Sequence, residues 1–322
     1  MIAKVLLGGL LIVGLGGGVV LVKRQSFNSN LDRLEAEIRN IGATQGPRTD
    51  LPPEVLALAH RLGARADAAV GFAVFEQSGQ MWKAPGGKPM DFAARQTVSL
   101  STPGFVWRAT MGLGRAVLVA DYFLKGTGGL EVMLMGVFPL ARMVGGADMN
   151  QGEALRYLAE LPWFPDAILT NRSLDWTVIN SKTIKVATGV DDAPRAQVTF
   201  ELNDNGIVER VSAPSRLYAE NGRMRPLPWH CRLWDYQTLG GRLIPRQGEA
   251  AWILDGVEFV YWRGRISSWS GHASNTPIRS TPLSTTTGAG CATVRGSAEI
   301  PKAGCSVGRE IINRDSEAFG AR

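Results

Sequence analysis

The chain opens with an uncharged apolar run from Val5 to Val22, bracketed by Lys4 and by Lys23 with Arg24. These 18 residues just cross about 30 Å of hydrocarbon at a rise of about 1.5 Å per residue. A transmembrane helix within an anchor over 1–27 is therefore expected. The rival reading is a cleaved signal peptide, which needs small residues at a cleavage site. Lys23, Arg24, Gln25, Ser26 and Phe27 follow instead, so an uncleaved signal-anchor is preferred. The flanking charges nearly balance and leave the orientation open.

Residues 28–65 read as a helical stalk. Leu31, Leu34 and Ile38 share one face of a short amphipathic helix from Asn28 to Ile41. Pro52 and Pro53 then stand where a second helix can begin, over Glu54 to Leu62, and Gly63 ends it. From Ala69 the period changes to two, with turn signals every eight to twelve residues, the pattern of an antiparallel meander.

The predicted hairpins place Phe72–Phe75 and Gln80–Trp82 about Ser78-Gly79, Val98–Leu100 and Phe105–Ala109 about Pro103-Gly104, and Ala116–Leu124 and Leu130–Met135 about Gly126 to Gly129. A helix capped by Asn150, with Glu153 three residues on, runs to about Leu161 and stops at Pro162. Strands then resume. The clearest is Ala196 to Leu202, where Ala196, Val198, Phe200 and Leu202 alternate with polar residues before the Asp204-Asn205-Gly206 turn. One helix between two runs of strands predicts an α+β domain over 66–268, a mostly antiparallel meander crossed by a helix. From 269 to 322 the composition shifts to Ser, Thr, Gly and Ala, which buries too little to order itself, so a disordered tail is expected.

Composition narrows the picture further. The 322 residues are 45% hydrophobic and 20% charged, enough for a real core. A net charge of +6 is spread thinly, with no long basic run, and nucleic acid is not an expected partner. Three cysteines, Cys231, Cys291 and Cys305, make neither a disulfide framework nor a metal knuckle, although a Cys291–Cys305 bridge stays open in an oxidising compartment.

The strand around Pro103-Gly104-Phe105-Val106-Trp107, the Asp121-Tyr122 strand with its glycine-rich turn, the segment Gly152 to Pro165, and the later strands with Trp176 and Trp252 resemble an uncharacterised bacterial family. The likeness covers roughly Leu51 to Ile266. It implies an N-terminal membrane segment and no assigned activity. In architecture the curved meander crossed by a helix is similar to the lipoprotein-carrier half-barrels of the bacterial envelope, an analogy of fold that does not decide function.

Candidate chemistry is sparse. His60, His230 and His272 have no metal-binding spacing, no GxSxG or P-loop occurs, and His230 and Cys231 are strand neighbours that point to opposite faces. No catalytic residue, metal or cofactor is assigned. Glu153, Arg156 and Glu160 lie at i, i+3 and i+7 on one helix, where a solvated charge ladder is the bland reading and fixing the helix to the sheet the alternative.

The Met-rich stretch Leu130 to Val144 and the tryptophans are more telling, since adaptable apolar side chains suit either a core or a groove. Trp107, Tyr122, Met133, Met135, Trp163, Trp176 and Trp252 are the expected lining of a site for a lipid-like or apolar ligand. The protein is thus expected to be single-pass in the cell membrane, its body on the periplasmic or extracellular face. An assembly module for another envelope protein is the alternative, and a carboxylate enzyme using Asp121, Glu153 or Glu160 comes third.

Overall fold

A computed structural model describes residues 2–41, 46–66, 70–189, 195–220 and 223–274, with side chains described from residue 21 onward and excluding Arg223. Among the described residues there are four α-helices: α1 (Ile2–Arg39), α2 (Pro53–Arg61), α3 (Ala147–Ala159) and α4 (Asp166–Thr170). The strands of the first half are β1 (Phe72–Met81), β2 (Met90–Ser99), β3 (Gly104–Met111), β4 (Val117–Leu124), β5 (Thr127–Leu134) and β6 (Phe138–Val144). Those of the second half are β7 (Asp175–Asn180), β8 (Thr183–Thr188), β9 (Ala196–Leu202), β10 (Val208–Glu220), β11 (Arg223–Leu239), β12 (Arg242–Leu254) and β13 (Val257–His272).

Among the described residues these strands form one sheet in the order β6-β5-β4-β3-β2-β1-β13-β12-β11-β10-β9-β8-β7, every pairing antiparallel. Two meanders are thus sewn together by β1 against β13, and the sheet curls into a half-barrel. Period-two alternation gives each strand an inner and an outer set. On β3, Phe105, Trp107, Ala109 and Met111 join the large core inside the curl, while Val106 faces out. Helix α3 crosses the hollow, touching β4 and β5 on one side and β8, β9 and β10 on the other.

The outer face of the first meander, over β1 to β4, is covered by α1. Its Phe27, Leu31, Leu34 and Ile38 recur every three or four residues and pack on Val74, Val106, Leu118 and Tyr122. Leu31 and Ile38 are fully enclosed, each contributing roughly 1.5–3 kcal/mol of burial. Ion pairs from Arg108 to Asp32 (2.7 Å) and Lys125 to Glu37 (2.8 Å) flank the seam. The expected stalk is therefore the docked half of one long helix, not a free spacer.

Helix α2 starts as expected at Pro53, buries Val55, Leu58 and Ala59, and also joins the body. The run Val5 to Val22 lies in the N-terminal half of α1, mostly before the first described side chain. Among the described residues no helix is long and apolar enough to cross a membrane.

Other expectations are corrected. Ser78-Gly79 is not a turn, because β1 runs straight through it; a Cβ on Gly79 would stand 2.7 Å from the Gly264 backbone on β13, so this glycine permits close strand approach. Gly128 and Gly129 likewise lie inside β5, leaving only Lys125-Gly126 for the turn. Asn150 does not cap α3, which begins three residues earlier; its Oδ1 instead accepts from the Gly128 N–H at 2.9 Å. Strand β13 continues to His272, past the expected boundary at 268, because Trp269 is buried and donates its Nε1–H to the Trp163 carbonyl at 2.8 Å. Cys291, Cys305 and the rest of the tail lie outside the described residues.

Candidate functional site

Between α3 and the inner face of the sheet lies a cavity of about 760 Å³, within the usual range for small-molecule sites. Its wall is largely aromatic and aliphatic. Trp107 comes from β3, Trp163 from the turn after α3, Trp229 from β11, Trp252 from β12, and Tyr261 and Trp262 from β13. The rings are braced against one another, with Trp163 and Trp262 centroids 5.8 Å apart and Trp252 and Tyr261 also 5.8 Å apart. Three of the indole N–H groups are satisfied inside the protein, Trp107 Nε1–H by Gln77 Oε1 (2.6 Å), Trp163 Nε1–H by the Pro245 carbonyl (3.0 Å) and Trp229 Nε1–H by Tyr261 OH (3.2 Å). The faces thus remain available as apolar surface.

Along one side runs a buried charge cluster. Arg156 of α3 bonds Asp121 on β4 and, through Nε, Glu160 Oε1 at 2.8 Å. Gln96 of β2 donates to Glu160 Oε2 at 2.5 Å. The Arg156 guanidinium also stands 4.6 Å from the Phe105 ring centroid and 5.3 Å from that of Trp107. Arg216 on β10 is held differently: Nη1 donates to Tyr261 OH at 3.2 Å, Nη2 is 3.6 Å from Glu153 Oε1, and the Trp229 ring centroid is 4.8 Å away.

Three carboxyls against two guanidiniums leave one acid in excess, and burial decides which. Glu153 is only 5% exposed. Burial first, and then the Asp121 charge within hydrogen-bond reach, push its pKa well above the ordinary carboxylate range, with Arg216 and Arg156 opposing. The protonated form of Glu153 is thereby favoured over that of an ordinary carboxylate. That proton accounts for Asp121 Oδ1 and Glu153 Oε2, two buried oxygens that no other donor reaches. The solvated ladder expected of Glu153, Arg156 and Glu160 is corrected on this point: all three are turned inward and tie α3 to β2, β4 and β10. Gly128 makes this approach possible, since a Cβ there would meet Glu153 Cγ and the Met149 carbonyl oxygen, each at 2.9 Å.

Of the expected lining, Trp107, Trp163 and Trp252 stand on the cavity wall. Tyr122 and Met133 do not reach it. Trp107 and Asp121 are cross-strand partners on the inner face, so Tyr122, one residue on, faces out beneath α1, and Met133, opposite Leu118, does the same. Met135 is an exposed turn residue at φ 55°, and Trp176 on the edge strand β7 lies edge-on to Phe200.

Arg216, Trp229, Tyr261 and Trp262 escaped the sequence reading. Period two carried on from Val211 and Ala213 turns Arg216 outward; the bulge between Ala213 and Arg216 reverses it. Cys231 also lies on the wall, and burial pushes its thiol up, away from the reactive thiolate. His230, next to it, faces the other way with Nε2 2.9 Å from Glu258. Among the described residues no group of His, Cys, Asp and Glu is arranged to hold a metal ion.

No curated protein matches the sequence. Among solved structures, the fold is similar to a LolA superfamily protein from Nitrosomonas europaea at 12% identity and a TM-score of 0.39, over 67% of this chain and 91% of that one. A DUF1329 family protein from Desulfovibrio piger is similar at 10% identity and a TM-score of 0.38, again over 67% and 91%. A family model matches residues 43–264, most of the described body, and by that match the chain belongs to the family of unknown function DUF6544.

Proposed function

We propose that this protein binds a lipid-like or apolar ligand in the hollow between α3 and the sheet. The observation that carries the reading is a cavity walled by braced aromatic rings, with the indole N–H groups of Trp107, Trp163 and Trp229 already satisfied by protein partners. Such a wall offers an apolar chain dispersion contact and water exclusion without leaving those three donors unpaired. In the same reading residues 5–22 anchor the protein once through the cell membrane, with the body on the periplasmic or extracellular side.

Native mass spectrometry and organic extraction of the detergent-purified protein test the ligand, together with titration of a fluorescent fatty acid. Co-purifying lipid and saturable binding weakened by Trp252→Asp are expected. No lipid and no saturable binding overturn the proposal. Reporter fusions at the C-terminus test the orientation.

We read the protein as a binder rather than an enzyme. Asp121 and Glu160 are both tied to Arg156, and the Asp121–Glu153 pair is in hydrogen-bond contact. Paired acid/base carboxyls in glycoside hydrolysis stand about 5 Å or more apart to admit the reacting bond. One observation favours the alternative of an assembly module: β6 is an edge strand on which Phe138, Leu140 and Met143 are exposed, a template for strand addition by an envelope protein. Crosslinking through β6 tests it. Trp163 is buried and unavailable for such a contact.

A further inference from the structure

In an antiparallel meander every second hairpin falls at the same end of the sheet. The β1–β2, β3–β4, β5–β6, β10–β11 and β12–β13 hairpins share one end here with the β8–β9 connection, most of which lies outside the described residues, and contacts join several of them. Gly112 N–H donates to the Asp91 carbonyl (3.0 Å), Met135 N–H to the Ala116 carbonyl (2.6 Å) and Trp82 N–H to the Tyr261 carbonyl (2.9 Å). Arg225 reaches Asp255 at 3.4 Å.

Among the described residues, four of the hairpins at this end carry a large apolar side chain in solvent at or beside the tip. Leu113 is fully exposed, and Met135, Met224 and Val257 are exposed as well. At the opposite end the β4–β5, β9–β10 and β11–β12 hairpins are tipped by Lys125-Gly126, Asp204-Asn205-Gly206 and Gly240-Gly241, β2–β3 by Ser101-Thr102-Pro103, and Ile179 beside the Ser181-Lys182 turn of β7–β8 is the large apolar side chain exposed there. Exposed apolar tips gathered at one end of a sheet ask for a partner.

Two further features of this end say which. Helix α1 leaves the body here: Arg24 packs against Gly136 in the β5–β6 turn, and Leu21 and Val22, the last residues of the uncharged run from Val5, are exposed beside it. The same end presents Lys23, Arg24, Lys83, Lys88 and Arg115 to solvent, none of them paired with an acid among the described residues. Apolar tips interleaved with unpaired cations, continuous with an 18-residue apolar run, match the layered chemistry of an anionic bilayer surface.

We propose that this hairpin end is a membrane-contacting surface, on which the tips of β3–β4, β5–β6, β10–β11 and β12–β13 dip among the acyl chains of an anionic bilayer while Lys23, Arg24, Lys83, Lys88 and Arg115 engage its phosphates. Met224 is both an exposed tip and part of the cavity wall, so the hollow reaches this surface. The proposal stands apart from whatever occupies the hollow.

The test uses the full chain with Cys291→Ser and Cys305→Ser, buried Cys231 retained, and one new cysteine carrying an environment-sensitive fluorophore. Labels go at Leu113, Val257 and, as the far-end control, Lys182. The protein is reconstituted into phosphatidylcholine vesicles with and without phosphatidylglycerol, with a subset of lipids spin-labelled on the acyl chain. The Leu113 and Val257 labels are expected to shift to the blue and be quenched, more so with phosphatidylglycerol, while Lys182 stays as in detergent. Lys83→Glu with Lys88→Glu and Arg115→Glu should abolish the phosphatidylglycerol effect without altering far-UV circular dichroism. Labels at Leu113 and Val257 that behave like Lys182, or a protein indifferent to vesicles, overturn the proposal.

Discussion

Glu153→Gln isolates the proton assigned to the buried charge cluster. Glutamine copies the shape of protonated glutamic acid, and its amide can supply Asp121 with the same donor. In the unfolded chain Glu153 titrates near the ordinary value of about 4.3. In the folded protein its pKa is raised by burial and by Asp121. Between those two values the folded state carries one proton more than the unfolded state. Stability therefore falls as pH rises, by about 1.4 kcal/mol per pH unit, and levels off only above the folded pKa. In a domain of this size that is about 3–6 °C of Tm per pH unit. The variant lacks this dependence, and all other titrating groups cancel in the difference. Thermal melts of both proteins from pH 5 upward should diverge until the folded pKa is passed, with the glutamine variant more stable relative to wild type at each step. Parallel curves would falsify the shared proton and mean that Glu153 is ionised in the fold.

Three further outcomes follow from the packing. Arg156→Met should destabilise by roughly 3–5 kcal/mol in urea denaturation, because Asp121 and Glu160 lose their shared buried cation. Gly128→Ala should lower stability by about 1–3 kcal/mol, since its Cβ would stand 2.9 Å from both Glu153 Cγ and the Met149 carbonyl oxygen and push α3 off the sheet; near-neutral behaviour would show that α3 is loosely seated. Leu31→Ala should cost about 2–5 kcal/mol yet leave fatty-acid binding per folded molecule unchanged, because Leu31 is fully buried on the outer face. Altered binding there would mean that the two faces are coupled.

Local pattern carried much of this architecture. Period two over Ala196 to Leu202 predicts β9 residue for residue, because each side chain there alternates between core and solvent with no bulge to interrupt it. Pro52, Pro53 and Gly63 likewise bracket α2, expected over Glu54 to Leu62 and found over Pro53–Arg61. The meander, the crossing helix and three of the cavity's tryptophans, Trp107, Trp163 and Trp252, are equally legible. So is the apolar run before Lys23.

What only the tertiary structure decided is which face is hollow. Alternation separates Asp121 from Tyr122 but is symmetric between the faces. The docking of α1 on one and the insertion of α3 into the other broke that symmetry and sent Tyr122 and Met133 away from the cavity. A single bulge after Ala213 brought Arg216 into it. Pairing of Phe72 with His272 joined strands far apart in sequence, carried β13 past the polar-looking boundary at 268, and sewed the two meanders into one sheet. Each of these depends on contacts between residues far apart in sequence, which local periodicity cannot encode because it records only how a segment partitions its own side chains and not what that segment meets.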